Sequence, residues 1–331
     1  MIIVPTELIT DNGDKLESIV LELAHRNDLD YKFFEWLENN NIFCNSLVDR
    51  IVPGKPNAAE VKKIETLLGY KDELMTMSEV FRLWAIEGDE RVKKALSFHK
   101  IDEGVKIVPD ITLFKELKLR LLNGTHTFNC GAAFLSGFNI TREAVGDAVY
   151  GRFAKGLMHN EIAKAIPYEI DENVKKDFAN SVFDRFCNPY VEHLWQSITV
   201  QYTSKMKMRN IPLLQRHYDL SDSPPLYMAT GFAGFLLYMK VVKKDNGKYY
   251  GNRSGQFYEI KDDSAEYFYE VWGNNSSNKA AEIVMQNKEL WGVDLATLPG
   301  FLQTVREQLS EFQLHGVLNT ISKLETKKVV A

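Results

Sequence analysis

The chain has 331 residues, of which 45% are hydrophobic and 26% charged, and its 40 Lys plus Arg against 45 Asp plus Glu give a formal charge of −5. This is the composition of a globular protein of one large or two ordinary domains, and its slight acidity offers no general attraction for nucleic acid or an anionic membrane. Three scattered cysteines, Cys44, Cys130 and Cys187, are too few for a disulfide framework or a zinc site, so a reducing, cytoplasmic setting is expected.

A β-branched run at residues 2–8, interrupted by Pro5, predicts a strand; Asp11-Asn12-Gly13 predicts a turn, and Leu16, Ile19, Val20, Leu23 and Ala24 follow at helical spacing. Residues 31–39 read as a second helix, 42–52 as an extended segment ending at Pro53-Gly54, 58–68 as a helix and 79–86 as a strand. From residue 113 the pattern is helix after helix, at 113–123, 141–157, 160–165, 171–186, 192–206 and 226–240. Asp171 suits a helix N-terminus. The most apolar stretch, 226–239, has only 14 uncharged positions; a membrane span needs about 20, so it reads as a core helix. Residues 243–260 predict a small hairpin, and helices resume from 265 to about 324. No G-x-G-x-x-G follows a strand, so the usual phosphate-cradling turn of a dinucleotide site is missing. A strand at the very start needs neighbours to pair its backbone, and self-association through an incomplete N-terminal sheet is one expected result.

The densest chemical constellation is Lys118-Leu-Arg-Leu-Leu-Asn123-Gly124-Thr125-His126. On an α-helix, His126 lies roughly 80° around from Lys118 and Asn123 roughly 60° beyond His126. An amine, an amide and an imidazole facing one cavity suit carbonyl reduction: a proton donor, a hydrogen-bond donor to the developing alkoxide and an orienting group. The bland alternative is a solvated helix face with a cap near its glycine. No H-x-x-x-H, C-x-x-C or G-x-S-x-G occurs, so neither a zinc-dependent nor a serine-nucleophile mechanism is expected.

The Lys118, Asn123 and His126 spacing resembles the K-x-x-x-x-N-x-x-H signature of the polyol-specific long-chain dehydrogenases, the mannitol dehydrogenase family. Pro5-Thr-Glu-Leu-Ile-Thr-Asp-Asn12-Gly13 and Asn45-Ser-Leu-Val-Asp-Arg-Ile-Val-Pro53-Gly54 resemble stretches of its tagaturonate (altronate) reductase branch, with Thr6 where that branch has Cys. Arg185-Phe-Cys-Asn188-Pro189, Ser204-Lys205-x-x-x-Arg209 and Leu290-Trp-Gly-Val-Asp-Leu295 match in order and rough spacing.

The resemblance implies an α/β remnant of a Rossmann-type nucleotide-binding domain at 1–110, followed by a larger, mostly α-helical substrate-binding and catalytic domain at 111–331, of the mannitol dehydrogenase C-terminal, 6-phosphogluconate dehydrogenase C-terminal-like kind. It implies that the sequence is a fragment or has lost the front half of the first domain. It implies NAD as cofactor, a sugar acid as substrate and reduction of tagaturonate to altronate in hexuronate catabolism, with Lys118 as catalytic acid/base, Asn123 polarising the carbonyl and His126 positioning substrate. A free lysine has a pKa of about 10.4, so that role requires burial or nearby positive charge, for which Lys205, Lys207 and Arg209 are the candidates. Lys205 matches a substrate-pocket lysine, whereas Ser197 stands where the mannitol enzymes carry an arginine. Lys205, Arg209 and Asp49 are thus expected at the substrate; Val48 and Asn12 are expected at the cofactor. Asp49 reads equally as an ion pair with a neighbour such as Arg50, Glu7 and Asn12 as turn and cap chemistry, and Arg185 and His193 as structural ties. The alternatives are a fructuronate reductase, a mannitol or other polyol dehydrogenase, or a non-catalytic binding or assembly protein.

Overall fold

The computed structural model describes residues 1–330, with side chains through Leu324, and divides into two compact units, Met1–Lys115 and Glu116–Ala331. The first unit extends past residue 110 because Ile111 belongs to its core with Leu83 and Ala85.

In the first unit, β1 (Ile2–Ile3), α1 (Asn12–Arg26), α2 (Tyr31–Asn40), β2 (Ile42–Phe43), β3 (Ser46–Asp49), α3 (Ala58–Leu68), β4 (Leu83–Glu87), α4 (Glu90–Ala95) and β5 (Val105–Val108) follow in order. β1 pairs in parallel with β2, and a second sheet has the order β3-β4-β5, antiparallel then parallel. The strand expected over residues 2–8 stops at Ile3. Pro5 has no N–H to continue a ladder, and its carbonyl turns instead to the Asn12 amide at 3.0 Å. The strand expected at 79–86 begins only at Leu83, because buried Glu79 is spent on a loop: its carboxylate accepts the Ile51 N–H at 2.6 Å.

Two asparagines lock α1 to β3. Asn12 Oδ1 accepts the Ser46 N–H at 2.8 Å, while Asn45 Oδ1 accepts the Gly13 and Asp14 N–H groups at 2.9 and 3.2 Å. Asn45 thereby caps α1 from a distance, a job that Asp11 leaves undone. Gly13 is required here, since a Cβ would lie 2.5 Å from the Cys44 carbonyl carbon.

Helix α5 (Thr112–Glu116) crosses the division. The second unit then runs through a π-helical stretch, Leu117–Gly124, into α6 (Thr125–Leu135), α7 (Thr141–Gly146), α8 (Tyr150–Gly156), α9 (Glu172–Phe186), α10 (Trp195–Ile198), α11 (Tyr202–Leu220) and α12 (Leu226–Tyr238). A three-stranded antiparallel sheet, β6 (Lys243–Asp245), β7 (Lys248–Arg253) and β8 (Gln256–Glu259), replaces the expected hairpin. The helices α13 (Ala265–Asn274), α14 (Ser277–Gln286), α15 (Lys288–Trp291), α16 (Phe301–His315) and α17 (Val317–Val330) complete it.

The core forms around α12, which packs against α6 and α16 and is apolar on every side, as a fully buried helix is. Small residues set the α6–α12 approach. A Cβ on Gly131 would stand 2.7 Å from the Gly234 carbonyl oxygen, and one on Gly234 equally close to the Ala132 Cβ.

Three expected helices are divided. The 141–157 helix breaks at Asp147, whose carboxylate accepts the Val149 and Tyr150 N–H groups at 2.9 Å and starts α8 afresh. The 160–165 helix is a π-turn, Leu157–Ile162, followed by one 3-10 turn. The 192–206 helix is a coil to Leu194, then α10, then a left-handed residue, Gln201, from which α11 runs on to Leu220 through Pro212. Proline removes the N–H that would bond the carbonyl of Met208, four residues back. Arg120 supplies the missing donor: its Nη1 reaches the Met208 and Arg209 carbonyls at 3.1 and 2.6 Å, and its Nε pairs with Glu116 at 2.9 Å.

Candidate active site

Lys118, Asn123 and His126 lie on one continuous helical run in the second unit, but the first turns of that run are π-helical. The wider i→i+5 turn draws residues five apart, such as Lys118 and Asn123, closer to a common face than the α-helical angles give. π-Turns are rare and concentrate at functional sites. Lys118 and His126 are buried and Asn123 is half-buried.

The Asn123 backbone is held through Thr127, whose hydroxyl donates to the Asn123 carbonyl at 2.8 Å and accepts from Arg209 Nη1 at 3.2 Å. Tyr202 reinforces the same junction, donating to the Thr127 carbonyl at 2.8 Å and accepting the Gly131 N–H at 3.1 Å. The start of α11 is fixed in turn by Asp262, which accepts the Thr203 N–H at 2.7 Å. Lys205 and Arg209 are therefore carried on a helix anchored at its first turn.

His126 is only 4% exposed, and neither ring nitrogen has a hydrogen-bond partner among the described residues. Its ring packs on Phe186 with centroids 4.1 Å apart, and edge-on against His193 at 5.1 Å and Trp195 at 5.8 Å. Burial pushes its pKa well below the ordinary imidazole value, and the groups that add to this, His193, Arg209, Arg185 and Lys205, are all basic. Burial likewise lowers His193, with Lys205 adding to it, and lowers Lys205, with Arg209 adding to it. Lys205 Nζ donates to the Ile198 carbonyl at 2.9 Å, and Arg209 Nε is enclosed without a partner among the described residues.

Lys207, expected to add positive charge here, does not: it is exposed and donates to the Glu289 carbonyl at 3.1 Å. Two positions along a helix from Lys205 turn a side chain to another face. The structure adds Phe186 and Trp195, to which the sequence reading gave no role, and it places His193, read there as a structural tie, against the His126 ring. His193 and Trp195 fall in the stretch read as one helix over 192–206, which is instead a coil to Leu194 followed by the short α10, so that reading gave no hint of their approach to His126.

The remaining expected residues belong to the first unit. Val48 lies on β3 opposite Trp84, 37% exposed, and buried Asp49 lies opposite Leu83. Arg50 turns its Nε to the Glu79 carbonyl at 2.9 Å. Asn12 is engaged at both ends of its amide, by Pro5, Glu7 and Ser46. These bonds have the turn-and-cap character that the sequence also allowed for Asn12.

With this geometry, the chain matches two family models: the mannitol dehydrogenase C-terminal domain over residues 110–313 and the mannitol dehydrogenase Rossmann domain over residues 1–100. It belongs to the mannitol dehydrogenase family. Altronate oxidoreductase of Bacillus subtilis (strain 168) is 33% identical over 97% of this chain and 64% of its own length; that of Cronobacter sakazakii is 33% identical over 98% and 66%. The chain thus spans a little under two thirds of the length of these relatives. In fold it is similar to Pseudomonas fluorescens mannitol 2-dehydrogenase, solved as a ternary complex with NAD and D-mannitol: the TM-score is 0.73 at 21% identity, over 99% of this chain and 63% of that one.

Proposed function

We propose that this member of the mannitol dehydrogenase family serves NAD-dependent interconversion of a keto sugar acid and its alcohol, reducing tagaturonate to altronate. The observation that carries the reading is the basic cluster around His126. Lys205, Arg209, Arg185 and His193 all act electrostatically on buried His126, and a carboxylate brought to such a cluster makes strong charge-assisted hydrogen bonds. A neutral polyol would leave those charges uncompensated.

For a nicotinamide cofactor, the first unit would offer Val48 as the contact. Val48 offers an exposed apolar side chain on β3, while no glycine-rich turn among these residues would cradle a pyrophosphate. When bound, the cofactor supplies the hydride in reduction and accepts it in oxidation. The chain's own groups do the rest. The Asn123 amide donates to the keto oxygen and draws charge onto it, and Lys118 Nζ gives that oxygen its proton as the carbon becomes tetrahedral. His126 orients the hydroxyl-bearing chain, and Lys205 with Arg209 holds the carboxylate. In oxidation the same lysine, neutral, takes the hydroxyl proton back.

The test is NADH oxidation at millimolar cofactor with tagaturonate, fructuronate and fructose. Tagaturonate is expected to be turned over best, and Lys118→Ala to lower kcat by about 10²- to 10⁴-fold. Preference for fructose, or a Lys118→Ala variant near full activity, sinks the assignment.

A further inference from the structure

The basic cluster explains where a carboxylate goes; it leaves three imidazole nitrogens without an explanation. Both nitrogens of His126 and Nδ1 of His193 are enclosed and have no hydrogen-bond partner among the described residues. Leaving a buried polar atom unsatisfied costs about 1–3 kcal/mol, and native structures rarely tolerate several together unless a ligand completes them. The two rings are neighbours, edge to face at 5.1 Å and 76°.

Nor is His193 placed loosely. Its backbone carbonyl accepts from the Thr141 N–H at 2.9 Å and the Thr141 hydroxyl at 3.2 Å, and the next residue, Leu194, forms a β-bridge with Ile140. The His193 backbone is thus held from α7 while its Nδ1 has no hydrogen-bond partner among the described residues. Phe186 and Trp195 pack on the His126 ring.

We propose that His193 is a specificity-determining, substrate-binding residue: with His126 it forms an imidazole pair that hydrogen-bonds neighbouring hydroxyls of the sugar-acid chain. The proposal rests on the reading of this site as a sugar pocket. A neutral imidazole carries one donor and one acceptor, and a hydroxyl can answer either. Two adjoining imidazoles therefore match two adjoining hydroxyls, and a substrate lacking one leaves a buried nitrogen unpaired, the kind of loss that gives strong discrimination. Burial and the nearby Lys205 keep His193 below the ordinary imidazole pKa, so at neutral pH it has the donor–acceptor character the pairing needs. Lys205 and Arg209 are then left for the carboxylate.

The full chain, labelled with 15N-histidine, is titrated with altronate and separately with D-mannitol while the His193 ring nitrogens are followed by NMR. His193→Phe, which keeps a flat ring but no hydrogen bond, and His193→Asn, which restores a donor and acceptor near Nδ1, are titrated alongside. Altronate is expected to shift the His193 Nδ1 resonance; His193→Phe weakens binding at least tenfold, and His193→Asn recovers part of the loss. An unmoved Nδ1 resonance, or a folded His193→Phe variant that binds like the wild type, overturns the proposal. The mannitol arm separates it from the function above. If both ligands bind alike and Lys205→Met changes neither, the sugar-acid reading falls while a shifted Nδ1 still supports His193. Failure of both ligands to bind overturns both.

Discussion

At the residue scale, the basic groups near His126 differ in what they are free to do. Lys205 Nζ makes a hydrogen bond to a backbone carbonyl and retains two further donors for a ligand. Its replacement by Met keeps the apolar stem and removes the charge. A charge-assisted hydrogen bond contributes about 1.5–3 kcal/mol, so Lys205→Met is expected to lower kcat/KM for tagaturonate about 10- to 100-fold and to leave activity on fructose nearly unchanged. Lys207→Met, on the exposed side of the same helix, is the control and should change neither; equal losses from both variants would mean that overall charge, not the pocket, matters. The imidazoles give a second prediction. His126 and His193 have folded-state pKa values below those of the unfolded chain, so below about pH 6.5 the unfolded state takes up protons that the folded state refuses. Stability contributed by their neutral forms is complete above that value and is lost as pH falls toward the depressed pKa values, by at most about 1.4 kcal/mol per histidine per pH unit. Urea midpoints at pH 7.5 and 5.5 should fall further apart for the wild type than for His126→Phe. An identical acid loss would show that other groups titrate instead.

At the element scale, α11 depends on a side chain from another helix. Pro212 frees the Met208 carbonyl, and Arg120, with a side chain 7% exposed, fills the gap while paired with Glu116. Arg120→Met is expected to cost about 2–3 kcal/mol in urea unfolding. In a Pro212→Ala background the helix can satisfy Met208 itself, so the same substitution should cost about 1 kcal/mol less, a coupling that a double-mutant cycle reads directly. Strictly additive effects would remove Arg120 from this role. The same elements show how far the sequence is legible. The buried helix α12 and the α3 boundaries follow from apolar runs and caps, because those signals are local. Lys118, Asn123 and His126 stand out because they share one short segment. The passage of α11 through Pro212 is hidden in the sequence, since its compensation lies 92 residues earlier at Arg120. His193 and Trp195 are hidden for a related reason. They reach His126 from a segment that reads as part of a helix over 192–206 but is held out of one where Thr141 bonds the His193 carbonyl, and such chain pairing is not visible in local spacing.

At the scale of the whole molecule, two electrostatic facts oppose each other. The chain carries a formal charge of −5, which repels an anionic sugar acid at long range, while the groups around His126 are basic and enclosed. Salt screens the first effect, whose range is about 10 Å at 0.1 M ionic strength, far more than the second, which acts at contact between partly buried groups. Added salt should therefore relieve a weak repulsion and scarcely weaken the capture. Altronate affinity, measured by calorimetry between 0.05 and 0.5 M NaCl, is expected to change by less than about threefold, because buried pairs are screened much less than exposed ones. Binding should also raise the melting temperature, since a ligand present at 100 times its Kd adds about 2.7 kcal/mol to folding stability. Lys205→Met should reduce that rise and His193→Phe should reduce it too. A tenfold or greater fall in affinity across the salt series would place the carboxylate on an open surface, and Lys205 and Arg209 would then no longer account for its recognition.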